Sequence, residues 1–600
     1  MKNFLFVLSL LITTSSIAQT LTKYEISFDN AIHHEAVVTA EFDNVEDKVL
    51  ELLMSRSSPG RYALHEFAKN VYNVKAFDSK GNRLTVTRPD PYQWNVSGHD
   101  GTVKVSYTLF ANRGDGTYSQ VDETHAHLNI PATFMFAKGY TQRPIEVTFA
   151  VRDDLHWKVA TQLKHLEGNT YYAPDMQYFM DSPTEISNYS ERSFAVASNG
   201  KKHTINFVLH HKGTEQELDG YFEKVKKIVL QEMNVYGELP DYDFGDYTFL
   251  VCYMPNVAGD GMEHRNSTSI TGTRSLANGG MEKNIGTVSH EYFHSWNVER
   301  IRPMSLEPFD FERVNMSGEL WFAEGFTSYY SDLILCRAGI ISQEEYIDNL
   351  ASELNYVWNS PARNYFDPVE MSDHAPFVDA ARSVDPVNWE NTFISYYSYG
   401  SVLGLALDLS LRNLDGNRNL DDFMKIVWKT YGKTGIPYTV KDLEFLLNEY
   451  AGNGFGTNFF NDYIFDSKMP DYKSLLASVG VAFDQLHTNE AYLGVHLNFN
   501  SGRCFVSSNP FEGGPAYMAG LDKGDELIAI DDKLFSGALN VEEFLSQFTP
   551  GQTVKVIFKR FGETKETALT FGADPSYTTS INEKAAKKES NKRNSWLAPR

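Results

Sequence analysis

Cysteine is nearly absent: 600 residues carry three, at Cys252, Cys336 and Cys504. An odd and widely spaced set excludes a disulfide scaffold and a cysteine-rich zinc knuckle. One Cys252–Cys336 bridge stays open, but three free buried thiols are the expectation, so packing must supply the stability. Positive charge is scarce too. Lys and Arg total 54 against 78 Asp and Glu, a net charge of −24. Such a field repels phosphate backbones and anionic membrane surfaces, so no nucleic-acid partner is expected. Past the N-terminus no run approaches the ~20 apolar residues of a membrane span. No internal repeat is present. What is there is ordinary for a globular protein: 42% apolar and 22% charged residues, with aromatics at 14%. At about 150 residues per domain, the length suggests about four domains.

The first eighteen residues read as a secretory signal. Lys2 precedes the apolar run Phe4 to Ile12, and Ser16-Ile17-Ala18 places small residues before a cut at Gln19. Export to the periplasm or beyond is therefore expected, without a lipid anchor, since no Cys stands at the cut. Residues 19–214 alternate with period two, as in Thr22-Lys-Tyr-Glu-Ile-Ser-Phe, and predict an all-β sandwich or saddle. From 215 helical spacing appears (Leu218, Tyr221, Phe222, Val225, Ile228, Val229), opening an expected mixed domain of helices and strands over 215–392. Residues 393–487 read as mainly helical, and 488–574 as short strands with Gly and Pro turns. The stretch 575–600 is rich in Lys, Glu, Ser and Asn and is expected to be a disordered polar tail. The whole is a multidomain α+β chain.

The strongest chemical signal is His290-Glu291-Tyr292-Phe293-His294. Two histidines four apart lie one turn above each other on a helix face and can grip one divalent ion. Imidazole suits zinc, and the intervening Glu can act as a general base. Asn284 could cap this helix, and no Pro interrupts it before Pro303. A third ligand is needed. Asn297 and Arg300 stand where a third His would follow a Gly break, so that arrangement is excluded. Glu299, Glu307, Glu312, Glu319 and Glu324 lie downstream. Glu324 is favoured, because it sits with Gly325 inside the apolar stretch Leu320-Trp-Phe-Ala-Glu-Gly-Phe-Thr-Ser-Tyr-Tyr330 and must face something charged.

These residues carry a resemblance. Trp321-x-x-Glu324-Gly325-x-x-x-Tyr329 after the His-Glu-x-x-His motif is similar to the gluzincin aminopeptidases. The string His290-Glu-Tyr-Phe-His-Ser-Trp-Asn-Val-Glu-Arg-Ile-Arg-Pro303 resembles the glycyl aminopeptidase family in particular. The likeness spans about residues 20–572. It implies an N-terminal β domain, a thermolysin-like catalytic domain, a helical region and a C-terminal PDZ domain. It also implies one Zn²⁺ on His290, His294 and Glu324, with Glu291 as general base toward a zinc-activated water. The segment Arg300 to Phe311 makes the gap from His294 to Glu324 longer than in aminopeptidase-N-like enzymes, an insertion that the glycyl branch accommodates. Gly261-Met262-Glu263-His264 is similar to the exopeptidase motif whose Glu takes the substrate α-amino group. It departs from that motif at His264, where those relatives carry Asn. A carboxylate at that place suits the need to recognise a cation at fixed distance from the scissile carbonyl. In Tyr396-Tyr397-Ser398-Tyr399-Gly400, the Tyr three residues before Gly registers on Tyr397 as oxyanion donor, with Tyr396 and Tyr399 as alternatives. A preference for N-terminal Gly or Ala comes from the resemblance alone.

Tyr492-Leu-Gly-Val495 resembles the carboxylate-binding loop of a PDZ domain, and Gly513 to Asp531 its core, with a helix after Asn540 walling a groove. The groove implies a peptide or protein ligand, or no more than a packing role. Asp122-Glu-Thr-His125-Ala-His127 is not counted as a second metal site, because Asp122 would not join the two histidines on an exposed strand face. His33-His34 and His210-His211 are adjacent pairs that cannot both face one site. Peptides with a free N-terminus are the expected substrates. An endopeptidase of the same fold, or a catalytically idle PDZ-bearing peptide binder, are the alternatives.

Overall fold

The computed structural model describes residues 20–380, 385–452, 454–485, 487–535 and 541–600. The expected signal segment lies outside the described residues, as does Asn540. Three modules follow one another along the chain, each around its own apolar core.

Thr22–Asn30 alternates buried and exposed positions, as its period-two pattern requires. It pairs with Glu35–Phe42 and Ile145–Ala150 inside a seven-stranded sheet. A four-stranded sheet built on Val49–Leu53 and Gln93–Ser97 shares its core: Ile26, Val38 and Tyr107 of the larger sheet and Leu52, Trp94 and Val96 of the smaller belong to one cluster. A third sheet joins Lys158–Thr161, Thr184–Ser187, His125–Leu128 and Gln120–Val121.

The boundary expected at 214 is displaced. Ser190–Ser198 and Lys201–His211 belong to the next module. Lys201–His211 runs parallel to Asp246–Tyr253, from Thr204 opposite Asp246 to His211 opposite Tyr253. The helix Glu215–Tyr236 makes the crossover between them. It opens on a capping box of Thr214 and Glu217 and ends at Gly237, φ 85°. Period-two alternation alone cannot tell which sheet a strand joins, and this parallel partnership is made only through the helix. The sheet continues with Ser267–Gly272 and the antiparallel edge strand Asp260–His264.

Helices cover one face of this sheet: Ile285–Phe293, Gly325–Arg337, Tyr396–Asn413 and the smaller helices after them. Gly325 and Gly400 set the crossing of two of these helices. A Cβ on Gly325 would lie 2.3 Å from the Gly400 Cα, and one on Gly400 would lie 1.8 Å from the Trp321 carbonyl oxygen. The small residue beside Glu324 is thus a contact between backbones.

The inserted segment Arg300 to Phe311 reaches back to the first module. Phe309 and Phe311 are buried in its core, and the Arg56 amide donates to the Phe311 carbonyl at 2.9 Å. Residues 497–570 form the third module, a sheet ordered Leu497–Asn500, Arg503–Val506, Glu526–Ile530, Thr553–Arg560, Glu563–Thr570, with the short helix Val541–Leu545 beside it. It rests on the second module through Asn391, whose side-chain amide donates to the Pro510 carbonyl (2.9 Å) and whose Oδ1 accepts from the Glu512 amide (2.8 Å).

The polar tail is not disordered, contrary to its composition. Tyr577–Ile581 pairs with Val481–Gln485, and Lys587–Leu597 is a helix. Trp596 is fully buried, donates from Nε1 to the Tyr329 hydroxyl (3.0 Å), and accepts at its carbonyl from Arg337 Nε (3.1 Å). Averaged composition hides two apolar anchors, Trp596 and Leu597, at the end of a charged run. All three cysteines are free and buried.

Candidate metal centre

His290 lies within the helix Ile285–Phe293, and His294 is the first residue past it, still in helical conformation. Asn284 precedes the helix but makes no side-chain cap, since its amide donates to the Arg274 carbonyl instead. The two Nε2 atoms stand 3.1 Å apart. Glu324 Oε2 is 3.2 Å from His294 Nε2 and 3.7 Å from His290 Nε2. Three bare donor atoms at these separations match one face of a tetrahedron with metal bonds of about 2.0–2.2 Å.

Neighbouring groups fix the donors. His294 Nδ1 donates to the Asn297 carbonyl at 2.6 Å, leaving Nε2 with its lone pair. His290 Nδ1 is 3.2 Å from Ser331 Oγ, whose own proton goes to the Thr327 carbonyl (2.8 Å), so His290 is the donor there. Asn297 also ties the two ligand-bearing segments together. Its amide donates to the Phe322 and Ala323 carbonyls at 3.0 Å, where the helix Leu320–Ala323 breaks before Glu324. The turn that holds Asn297 puts Val298 at φ 112°, a strained conformation for a β-branched residue. Glu324 Oε1 accepts from the Tyr62 hydroxyl at 2.6 Å, so the first module completes the centre.

Glu291 is buried, and its Oε2 has no hydrogen-bond partner among the described residues. Gly261 makes room for it: a Cβ there would lie 2.1 Å from Glu291 Oε1. Glu263, on the same edge strand, brings a carboxylate oxygen within 4.8 Å of donor atoms of Glu291 and His294. Met262 is buried against Gly60 and Gly116, where a Cβ would lie 2.0 Å from its Sδ and 2.6 Å from its Cβ respectively. The Tyr397 ring centroid is 5.8 Å from that of His290. Tyr396 is buried between Tyr397 and Tyr62, while Tyr399 packs against Trp358 in the core. His264, the departure from the exopeptidase motif, is held by Asp181 at 2.8 Å.

The electrostatics show what the cluster lacks. Burial disfavours charge on His294, yet Glu324, Glu263 and Glu291 outweigh it and push its pKa up to about 10. Burial raises the Glu291 and Glu263 pKa values, and their carboxylate neighbours add to it, while His294 opposes. Glu324 is held low: burial would raise it, but His294 and His290 dominate. Three carboxyl groups and two imidazoles buried together call for added positive charge. A dication on the three bare donors would supply it, so the residues fit zinc.

Sequence reasoning missed Tyr62, Ser331 and the carbonyl of Asn297. Only Pro59-Gly60 hinted at the turn that carries Tyr62.

Residues 23–188 match the Peptidase M61 N-terminal domain, 283–403 the M61 glycyl aminopeptidase domain, and 491–570 a PDZ domain. The chain belongs to the glycyl aminopeptidase family. The enzyme is a zinc aminopeptidase with a PDZ module. Among solved structures, an aminopeptidase N family protein from Idiomarina loihiensis is 25% identical with a TM-score of 0.84, over 96% of this chain and 100% of that one. An M1 zinc metallopeptidase from Deinococcus radiodurans is 13% identical with a TM-score of 0.42, over 74% and 92%. No curated protein matches. Among the described residues no helix is long and apolar enough to cross a membrane.

Proposed function

We propose that the enzyme is exported and removes N-terminal Gly or Ala from peptides at one zinc ion held by His290, His294 and Glu324. Zinc, when bound, supplies Lewis acidity that polarises the scissile carbonyl and acidifies water. Glu291 takes the proton from the attacking water and delivers it to the leaving amine. Its raised pKa and unpartnered Oε2 suit a group that must both accept and return a proton. Tyr397 donates its hydroxyl to the developing oxyanion; burial keeps that phenol protonated. Glu263 binds the substrate α-ammonium and sets the distance from terminus to scissile bond. Gly261 and Met262 shape the strand along which the peptide lies. The PDZ module offers a groove for a peptide or protein ligand by strand addition.

The observation that carries this reading is the convergence of Glu263, Glu291 and His294, donor atoms within 4.8 Å of one another. It gives an ammonium a partner beside the reacting atoms. The test is a panel of free and N-acetylated dipeptide amides, with and without chelator. Turnover confined to free termini, highest for Gly and Ala and lost with chelator, is expected. Blocked peptides cleaved as fast as free ones would remove Glu263 from this role and make the enzyme an endopeptidase.

A further inference from the structure

The opposite face of the catalytic sheet holds a second cluster. Along Lys201–His211, Leu209 points to the helices while Val208 and His210 point away. Along Asp246–Tyr253, Val251 points to the helices while Leu250 and Cys252 point away. His210 and Cys252 are register partners. Against them packs the third sheet of the first module, which brings His125 and Glu185. The strand face read as exposed is therefore covered: His125 and His127 are both buried, and the missing ligands come from strands distant in sequence.

Four different donors meet there. Cys252 Sγ is 3.3 Å from His210 Nδ1 and 3.7 Å from His125 Nδ1. Glu185 Oε1 is 3.4 Å from His125 Nδ1 and 3.7 Å from His210 Nδ1. All four atoms lie within 4.8 Å of one another. A tetrahedral zinc with nitrogen and oxygen at about 2.0–2.1 Å and sulfur at about 2.3 Å sets its ligands about 3.3–3.6 Å apart.

Outer contacts aim the donors inward. Gln120 donates its amide to the Asn256 carbonyl (2.9 Å), which turns its Oε1 to His125 Nε2 at 3.1 Å. His125 therefore carries a proton on Nε2, and its Nδ1 faces the cluster. His127 lies between Glu185 and the backbone, its Nδ1 3.1 Å from Glu185 Oε2 and its Nε2 3.0 Å from the Asp115 carbonyl oxygen. The other oxygen, Glu185 Oε1, has no hydrogen-bond partner among the described residues, on a residue 1% exposed. A lone pair on Nδ1 and a carboxylate oxygen facing each other repel unless a proton or a metal cation lies between them, and the Cys252 thiol has one proton to give to either.

We propose that His125, Glu185, His210 and Cys252 bind a second zinc ion, a structural one that clamps the first module to the back of the catalytic sheet. Four protein donors leave no open position, which separates this site from a catalytic one. Cys252 loses its proton on binding, and that proton leaves to solvent.

The full chain tests this by metal content and cobalt spectroscopy. Two zinc ions per chain are expected. The pair His290→Ala and His294→Ala lowers this to one, and so, separately, does Cys252→Ala with His210→Ala. Neither Cys336 nor Cys504 joins a ligand cluster among the described residues, and the catalytic centre holds no sulfur. A thiolate-to-cobalt charge-transfer band in the cobalt-loaded chain therefore reports on this cluster alone. The band is expected in the unsubstituted chain and in the His290/His294 variant. One ion per chain and no such band in the unsubstituted protein would overturn the proposal and leave His125 as an imidazolium paired with Glu185. Because the cobalt reading needs no change at Cys252, it decides the matter even where the Cys252 variant does not fold.

Discussion

Two buried clusters of imidazole and carboxylate lie on the two faces of one five-stranded sheet, and they differ in one respect that decides their chemistry. Around His290, His294 and Glu324 a fourth side chain, the carboxyl-bearing Glu291, stands close but keeps an oxygen without a hydrogen-bond partner among the described residues. Around His125, Glu185 and His210, the fourth group is a thiol, 3.3 Å from its neighbour and filling the last position. The first arrangement is left reactive, the second is closed. Both depend on the first module: Tyr62 holds Glu324 on one face, and His125 and Glu185 supply half the ligands on the other. The β module is thus part of the metal chemistry and not a neighbour of it.

If that contrast holds, its sharpest break is at Glu291. Glu291→Gln keeps the three donor atoms of the catalytic centre and removes the base. Turnover should fall by about 10²–10⁴-fold, with metal content per chain unchanged. Peptidase assay and elemental analysis on one preparation check it, and full turnover in that variant would refute the role of Glu291.

A second and smaller break tests position and not chemistry. Gly261→Ala places a methyl 2.1 Å from the present position of Glu291 Oε1. The base must move, and a shift of about 1 Å costs about 10²-fold in kcat. Unaltered zinc content and melting behaviour would separate this from unfolding. On the other face the comparable close approach is at Gly114, where a Cβ would lie 2.5 Å from Gln120 Oε1, the oxygen that faces His125.

The two clusters also differ in how much of them the sequence exposes. The catalytic donors sit on consecutive helical segments, so helical spacing and an out-of-place carboxylate beside Gly325 point to them before any fold is known. Even there the reason for Gly325 is tertiary, since it is the crossing with Gly400. His125, Glu185, His210 and Cys252 come from four strands of two sheets, and no local period links them. Reading His125 and His127 as an exposed pair failed because burial on a strand is decided by what packs on it. The β-rich start was legible from alternation and turn residues, and the PDZ core from the resemblance carried by Tyr492 to Val495 and Gly513 to Asp531. The assignment of 190–211 to the catalytic sheet was not, because it rests on a parallel partner beyond a helix. The tail failed in the opposite direction: a polar average concealed Trp596, whose indole reaches Tyr329.

The smallest expected effects come from the outer contacts, and they set the two faces apart most directly. Tyr62→Phe removes the hydroxyl that holds Glu324 Oε1 at 2.6 Å. His127→Gln removes the ring that stands 3.1 Å from Glu185 Oε2. Outer-contact losses of this kind cost about 10–100-fold in metal affinity or activity. For Tyr62 the loss should appear in kcat/KM, because Glu324 orients the ion at which bonds change. For His127 it should appear as easier metal loss to chelator and a lower melting temperature, with kcat for a free dipeptide amide within about twofold of the parent. The same perturbation is read as catalysis on one face and as cohesion on the other, since only one cluster touches the substrate. A His127→Gln enzyme with kcat reduced tenfold while both ions stay bound would show that the faces are coupled through the sheet, and the division drawn between them would have to be abandoned.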